Sequence, residues 1–123
     1  MSTLNVSNIT DGTTTVDTSY VLNGSAKSWV NFDGTGTIAT RDSFNVASLT
    51  DQGAGTYDIN LTSNMNNNDY SVSSIARGND QVIGHSAANL TTSYARVYAV
   101  DLDGNRGIAD TDTVSVQVFG DLA

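Results

Sequence analysis

The chain has 123 residues, a formal net charge of −8 and no cysteine. Its length suits a single domain, and its acidity, with no basic stripe, argues against nucleic acid and anionic membrane surfaces as partners. Lacking cysteine, it has no disulfides, no thiol chemistry and no cysteine-ligated zinc.

The choice of polar residues points to sheet. All thirteen acids are Asp, Lys27 is the single lysine, and Ser, Thr and Asn supply most of the rest. Ser, Asp and Asn pull the backbone into turns and Thr favours strands, so almost no helix is expected. Val, Ile, Leu and Phe make up roughly 23% of the chain, a little above the roughly 20% at which disorder becomes the default. So lean a core suits a small domain that draws further stability from oligomerisation.

At the N-terminus, LNVSNI alternates like a strand with Leu4, Val6 and Ile9 on one side. Apolar residues then become sparse through DGTTTVDTSYVLNGS. Residues 1–25 therefore read either as an edge strand and loop of the main domain or as an extended N-terminal arm that packs on a neighbouring subunit or another protein. The opening has neither the basic start nor the apolar stretch of a secretory signal, and no apolar run reaches the ~18–20 residues that span a bilayer.

Residues 26–123 form the expected domain. Period-two alternation marks seven strands, at 28–33, 37–46, 56–62, 70–77, 81–85, 93–101 and 113–119. DGTG, DQGAG, NMNNND, RGND and DLDGNRG punctuate them as turns. Ala76, Ala87 and Ala88 leave room for one helical turn at most. The fold class expected is all-β, an antiparallel β-sandwich or jelly-roll-like barrel. Its inward set is Trp29 or its neighbours Val30 and Phe32, with Ile38, Phe44, Val46, Leu49, Tyr57, Ile59, Leu61, Tyr70, Val72, Val97, Val100, Val114, Val116 and Val118. Tyr94, Arg96 and Tyr98 share one strand face, which suits packing against a partner or partial exposure. With Leu4, Val6 and Ile9 they are the candidate interface residues.

Signals of chemistry are faint. Asp101, Asp103 and Asn105 stand where positions one, three and five of a calcium loop place oxygen ligands. Arg106 then occupies the position of the obligatory glycine, and Asp112 that of the closing Glu, so a plain hairpin connection is the stronger reading. His85, the only histidine, makes zinc only if three subunits each bring one to an axis. Asparagines 64, 66, 67 and 68 offer amide pairs that suit sugar hydroxyls, and Tyr20, Trp29, Tyr94 and Tyr98 offer rings for stacking. For each of these a solvated loop, a core place or an interface place is the simpler reading. No G-x-S-x-G elbow or Walker loop is present, and close Asp pairs arise by abundance alone, so no enzyme and no cofactor are expected.

Residues 26–62, AKSWVNFDGTGTIATRDSFNVASLTDQGAGTYDINLT, closely resemble a module of tail-fibre-like virion proteins from marine tailed bacteriophages. The likeness continues through NDYSV at 68–72 and DTVSVQVFG at 112–120, and it lapses at 11–25 and 77–92. It implies a β-rich, homotrimeric, non-enzymatic structural protein on a virion, assembled in the host cytoplasm and released by lysis. Its partners would be other virion proteins and a host surface glycan or protein. Two roles follow from it: a tail-fibre adhesion module that binds a receptor, or a capsid decoration protein that cements the head. No contact residue is transferred by these structural motifs.

Overall fold

The computed structural model describes residues 1–77, 81–102 and 107–123, with the backbone alone for 81–88. Among the described residues, ten strands and one short helix follow one another. A hairpin of β1 (Asn8–Thr10) and β2 (Thr15–Asp17) leads into α1 (Thr18–Gly24). There follow β3 (Ser28–Asp33), β4 (Ala39–Phe44), β5 (Val46–Gly53) and β6 (Thr56–Leu61). β7 (Ser71–Arg77), β8 (Gln81–Leu90), β9 (Tyr94–Asp101) and β10 (Thr113–Phe119) complete the chain.

The eight longer strands form two four-stranded antiparallel sheets, in the orders β4–β3–β10–β7 and β5–β6–β9–β8. The fold is thus the expected all-β sandwich. Side chains that alternate inward from both sheets make the core. Val114, Val116 and Val118 of β10 and Ala95, Val97 and Ala99 of β9 belong to one core cluster, all at most 1% exposed. Tyr57 and Phe32 meet edge to face at 5.1 Å between ring centroids, the geometry that aromatic quadrupoles favour. Because β6 pairs with β9 rather than with β7, the run from β7 to β9 returns to it in the manner of a Greek key.

The expected strand over 37–46 is in fact two strands in different sheets. Asn45 takes φ 55°, a left-handed conformation that ends β4 and sends the chain across to the second sheet as β5. This also corrects Phe44, which was assigned to the core and is 55% exposed. Phe44 stands directly opposite Trp29 in the β3–β4 register, and facing residues of an antiparallel pair share a side of the sheet. Val30 and Phe32 point inward, so Trp29 and Phe44 are turned out. Ile38, Val46, Leu49 and Val72 pack on the core only in part.

Residues 1–25 are not an edge strand of the sandwich; they form a separate hairpin and a short helix. Asp11 accepts hydrogen bonds from the Thr13 and Thr14 amides, and Gly12 at φ 95° closes the turn. β1 and β2 then pair only with each other, with Ile9 opposite Val16. Asp17 caps α1 by accepting from the Ser19 amide at 2.8 Å. Asp17 and Ser19, residue types expected to favour turns, start a helix instead. Ala76 and the backbone of Ala87 and Ala88 lie in strands β7 and β8, so the helical turn allowed there is absent.

Two buried phenols tie the loops to the sandwich. Tyr70 donates to the carbonyls of Thr91 and Tyr94 at 3.0 and 2.9 Å, and Tyr57 to that of Gly34 at 3.1 Å. Burial is the largest cause that pushes both phenols up, each to about 12 against the ordinary 10.0. Between those values the unfolded chain gives up protons that the folded chain keeps, so the native state loses ground as pH rises. Stability is expected to be full below about pH 10 and to fall steadily toward about pH 12. Melting temperature followed with phenolate absorbance checks this: two of the five tyrosines should ionise only as the protein unfolds.

Candidate functional site

The outer face of the second sheet gathers the aromatic and charged residues of β6 and β9. Alternation turns Tyr57, Ile59 and Leu61 inward, leaving Thr56, Asp58 and Asn60 on the outer side. On β9 the small residues Ala95 and Ala99 and Val97 are fully buried, which puts Tyr94, Arg96 and Tyr98 outward. The register sets Thr56 opposite Tyr98, Asp58 opposite Arg96 and Asn60 opposite Tyr94.

Asp58 organises this face. It is 5% exposed, and its carboxylate accepts from Arg96 through both oxygens, Nε to Oδ1 and Nη2 to Oδ2 at 2.7 Å. Gln52 of β5 donates to Oδ2 at 2.8 Å. The fork geometry fixes the guanidinium plane, and the hydrogen bond to Asp58 is the first cause that raises the Arg96 pKa. Arg96 lies 5.7 Å from the centre of the Tyr94 ring, within reach of cation–π attraction. Asn60 Nδ2 donates to Ser48 Oγ and Thr50 Oγ1 at 3.1 and 2.9 Å. Asn89 Nδ2 donates to the Tyr98 hydroxyl at 2.6 Å. The result is a pre-set polar surface carrying two half-buried tyrosines, with the Arg96 charge balanced locally. It presents rings and amides for contact.

The other candidate interface residues lie at the N-terminal element. Leu4, Val6 and Ile9 are 83%, 41% and 50% exposed and line one depression with Val21 and Leu22 of α1. The same two helix residues also border a groove of about 560 Å³ between α1 and the near end of the sandwich. Val21, Leu22, Lys27, Phe44, Ser63 and Leu122 are among its walls, and no carboxylate lines it.

The remaining candidates disperse. Asp101 ends β9, opposite Gln81, and its amide donates to the Gly107 carbonyl at 2.8 Å. Asp103 and Asn105 lie outside the described residues, as does the side chain of His85, whose backbone pairs with Val97. Among the described residues no three His, Cys, Asp or Glu gather as metal ligands do. The 64–69 segment is less free than a solvated loop: Met65 is 1% exposed, and its amide donates to the Thr92 carbonyl at 2.7 Å. Tyr20 and Trp29 are exposed at 74% and 37%, on the N-terminal element and the first sheet respectively.

Sequence reasoning found Tyr94, Arg96 and Tyr98 but missed Asp58 and Gln52, which hold them. Asp58 was hidden among twelve other Asp, and only the β6–β9 register singles it out. It also missed Leu22, Phe44 and Leu122 as groove walls. No family model, curated protein or solved structure matches the chain.

Proposed function

We propose that the chain is a non-enzymatic structural protein on the surface of a tailed-phage virion, serving as a tail-fibre-like adhesion module that binds a host surface glycan or protein. The observation that carries this reading is the Tyr94–Arg96–Tyr98 face, held in place by Asp58. A surface that is ordered before contact loses little entropy on binding, and tyrosines with amide neighbours can meet sugar rings or protein side chains alike. The likeness of residues 26–62 to virion modules supports the same placement, and the lean core supports a homotrimer. The protein would be assembled in the host cytoplasm and reach its site when lysis frees the particle.

A test combines location with competition. Labelled antibody on intact particles should find few copies, all at the tail. Purified protein in excess should slow phage adsorption to host cells, and Tyr94→Ala with Tyr98→Ala should lose at least ten-fold of that effect without a lower melting temperature. Tail location with no competition at any concentration sinks the adhesion role, and turnover of a polysaccharide by the pure protein sinks the non-enzymatic one.

A second reading has its own support. The exposed apolar residues of the N-terminal element, Leu4, Ile9, Tyr20 and Leu22, suit a clamp on capsomers, which is what a capsid decoration protein needs. Hundreds of copies on the head, with heads that lose heat resistance in their absence, would decide for it.

A further inference from the structure

We propose that Asn23 is a site of spontaneous modification, at which the backbone nitrogen of Gly24 displaces the side-chain amide and the product unwinds α1. The proposal goes beyond the adhesion reading and does not depend on it.

The sequence singles out one asparagine among thirteen: Asn23 is the only one followed by glycine. In the reaction the Gly24 nitrogen bonds to Cγ of Asn23 while its proton passes through water to Nδ2. The Cγ–Nδ2 bond breaks and ammonia leaves, which closes a five-membered succinimide ring. Water then opens the ring at one carbonyl or the other, giving aspartate or isoaspartate. A side chain on the following residue crowds the attack, and glycine carries none. After Asn5, Asn8 and Asn45 stand Val6, Ile9 and Val46, all branched at Cβ.

The structure leaves this pair open. Asn23 and Gly24 are both exposed, and a Cβ on Gly24 would meet nothing within 4 Å. Other asparagines are held by their amides. Asn45 Nδ2 donates to the Lys27 carbonyl at 2.9 Å, Asn60 Nδ2 to Thr50 Oγ1 at 2.9 Å and Asn89 Nδ2 to the Tyr98 hydroxyl at 2.6 Å.

Helical backbone is the one obstacle, because it aims the Gly24 nitrogen along the helix axis and away from Cγ. The reaction therefore waits for the last turn of α1 to open, and that opening costs little. The helix has seven residues, none of them buried, far short of the ~12–15 that an isolated helix needs in water. Asn and Gly are poor helix formers, and no basic side chain meets the dipole in the last turn. The Ser25 amide reaches the Val21 carbonyl only at 3.3 Å. Fraying ends of this kind open at almost no cost.

The product does not close again. Aspartate puts a negative charge at the C-terminal end of the helix, where the dipole opposes it. Isoaspartate lengthens the main chain by a methylene and breaks the hydrogen-bond repeat. Either one also sets a carboxylate beside a groove whose walls carry none.

Peptide mapping by mass spectrometry tests the chemistry on the full chain, aged in warm, mildly alkaline buffer. Asn23 should gain one mass unit at least ten-fold faster than any other asparagine. Gly24→Ala, for which there is room, should slow that gain at least ten-fold and leave the melting temperature of the sandwich unchanged. In the aged chain the Cα chemical shifts of residues 18–24 should lose their helical offset while those of β10 stay in place. Three results overturn the proposal. One is an Asn23 no faster than the rest. Another is a rate a hundred-fold below that of a free peptide of residues 18–27, which would mean that α1 stays shut. The last is an aged chain whose α1 shifts are unmoved, which would leave the modification without effect on the helix.

Discussion

Replacing Tyr57 by alanine should lower the free energy of unfolding by about 3–5 kcal/mol, the usual cost of deleting a buried aromatic ring. Tyr57 is fully buried, stacked edge-on against Phe32. Its hydroxyl donates to the Gly34 carbonyl and accepts from the Thr111 amide at 3.4 Å. It thereby joins the β3–β4 turn to the segment that leads into β10. Phenylalanine keeps the ring and removes only the hydroxyl, leaving polar backbone groups without a partner, so a smaller loss of about 1–2 kcal/mol is expected. A domain with roughly 5–15 kcal/mol in hand survives the second change and comes near unfolding with the first. Gly34 is part of the same unit, because a Cβ there would fall on the Tyr57 phenol ring and hydroxyl. Gly34→Ala alone should therefore destabilise, and the double variant Gly34→Ala with Tyr57→Ala should lose less than the sum of the two. Denaturant unfolding of the four chains measures all of this. An alanine variant within 1 kcal/mol of the parent would contradict the ring's place as a core anchor.

What the sequence made legible was whatever repeats every second residue. Val114, Val116 and Val118 announced β10 and its inward face, and the same alternation put Tyr94, Arg96 and Tyr98 on the outside of β9. Three kinds of feature stayed hidden. Ala95 and Ala99 are fully buried, yet alanine carries no strong signal of either face. The N-terminal helix was invisible since Asp and Ser start helices and turns by the same hydrogen bonds to backbone amides. Asp58 needed a partner strand: its local pattern is that of any polar residue in a strand, and its importance comes from Arg96, thirty-eight residues away. The lone rings were legible as candidates and their supports were not, because supports are set by register between strands distant in sequence. The Greek-key return of β9 to β6 is the step that local alternation cannot supply.

The corner between β4 and β5 gives the second large effect, and it falls on a residue whose part was not apparent in the sequence. Asn45→Ala should cost about 3–6 kcal/mol, from two separate losses. The first is conformational: at φ 55° an alanine is strained by about 1–2 kcal/mol, whereas asparagine tolerates the left-handed region. The second is a set of three side-chain bonds that hold the end of the sandwich together. Asn45 Nδ2 donates to the carbonyls of Lys27 and Ser63 at 2.9 and 3.3 Å, and its Oδ1 accepts from the Ser63 amide at 2.7 Å. These bonds join the start of β3 to the end of β6 across the corner, and each is worth roughly 0.5–1.5 kcal/mol in a partly exposed setting. Asn45→Gly separates the two losses, since glycine relaxes the backbone and keeps none of the bonds. Glycine should therefore sit between the parent and alanine, nearer the parent if the φ angle dominates and nearer alanine if the bonds do. A glycine variant less stable than the alanine one would mean that neither account holds and that the corner is fixed by packing.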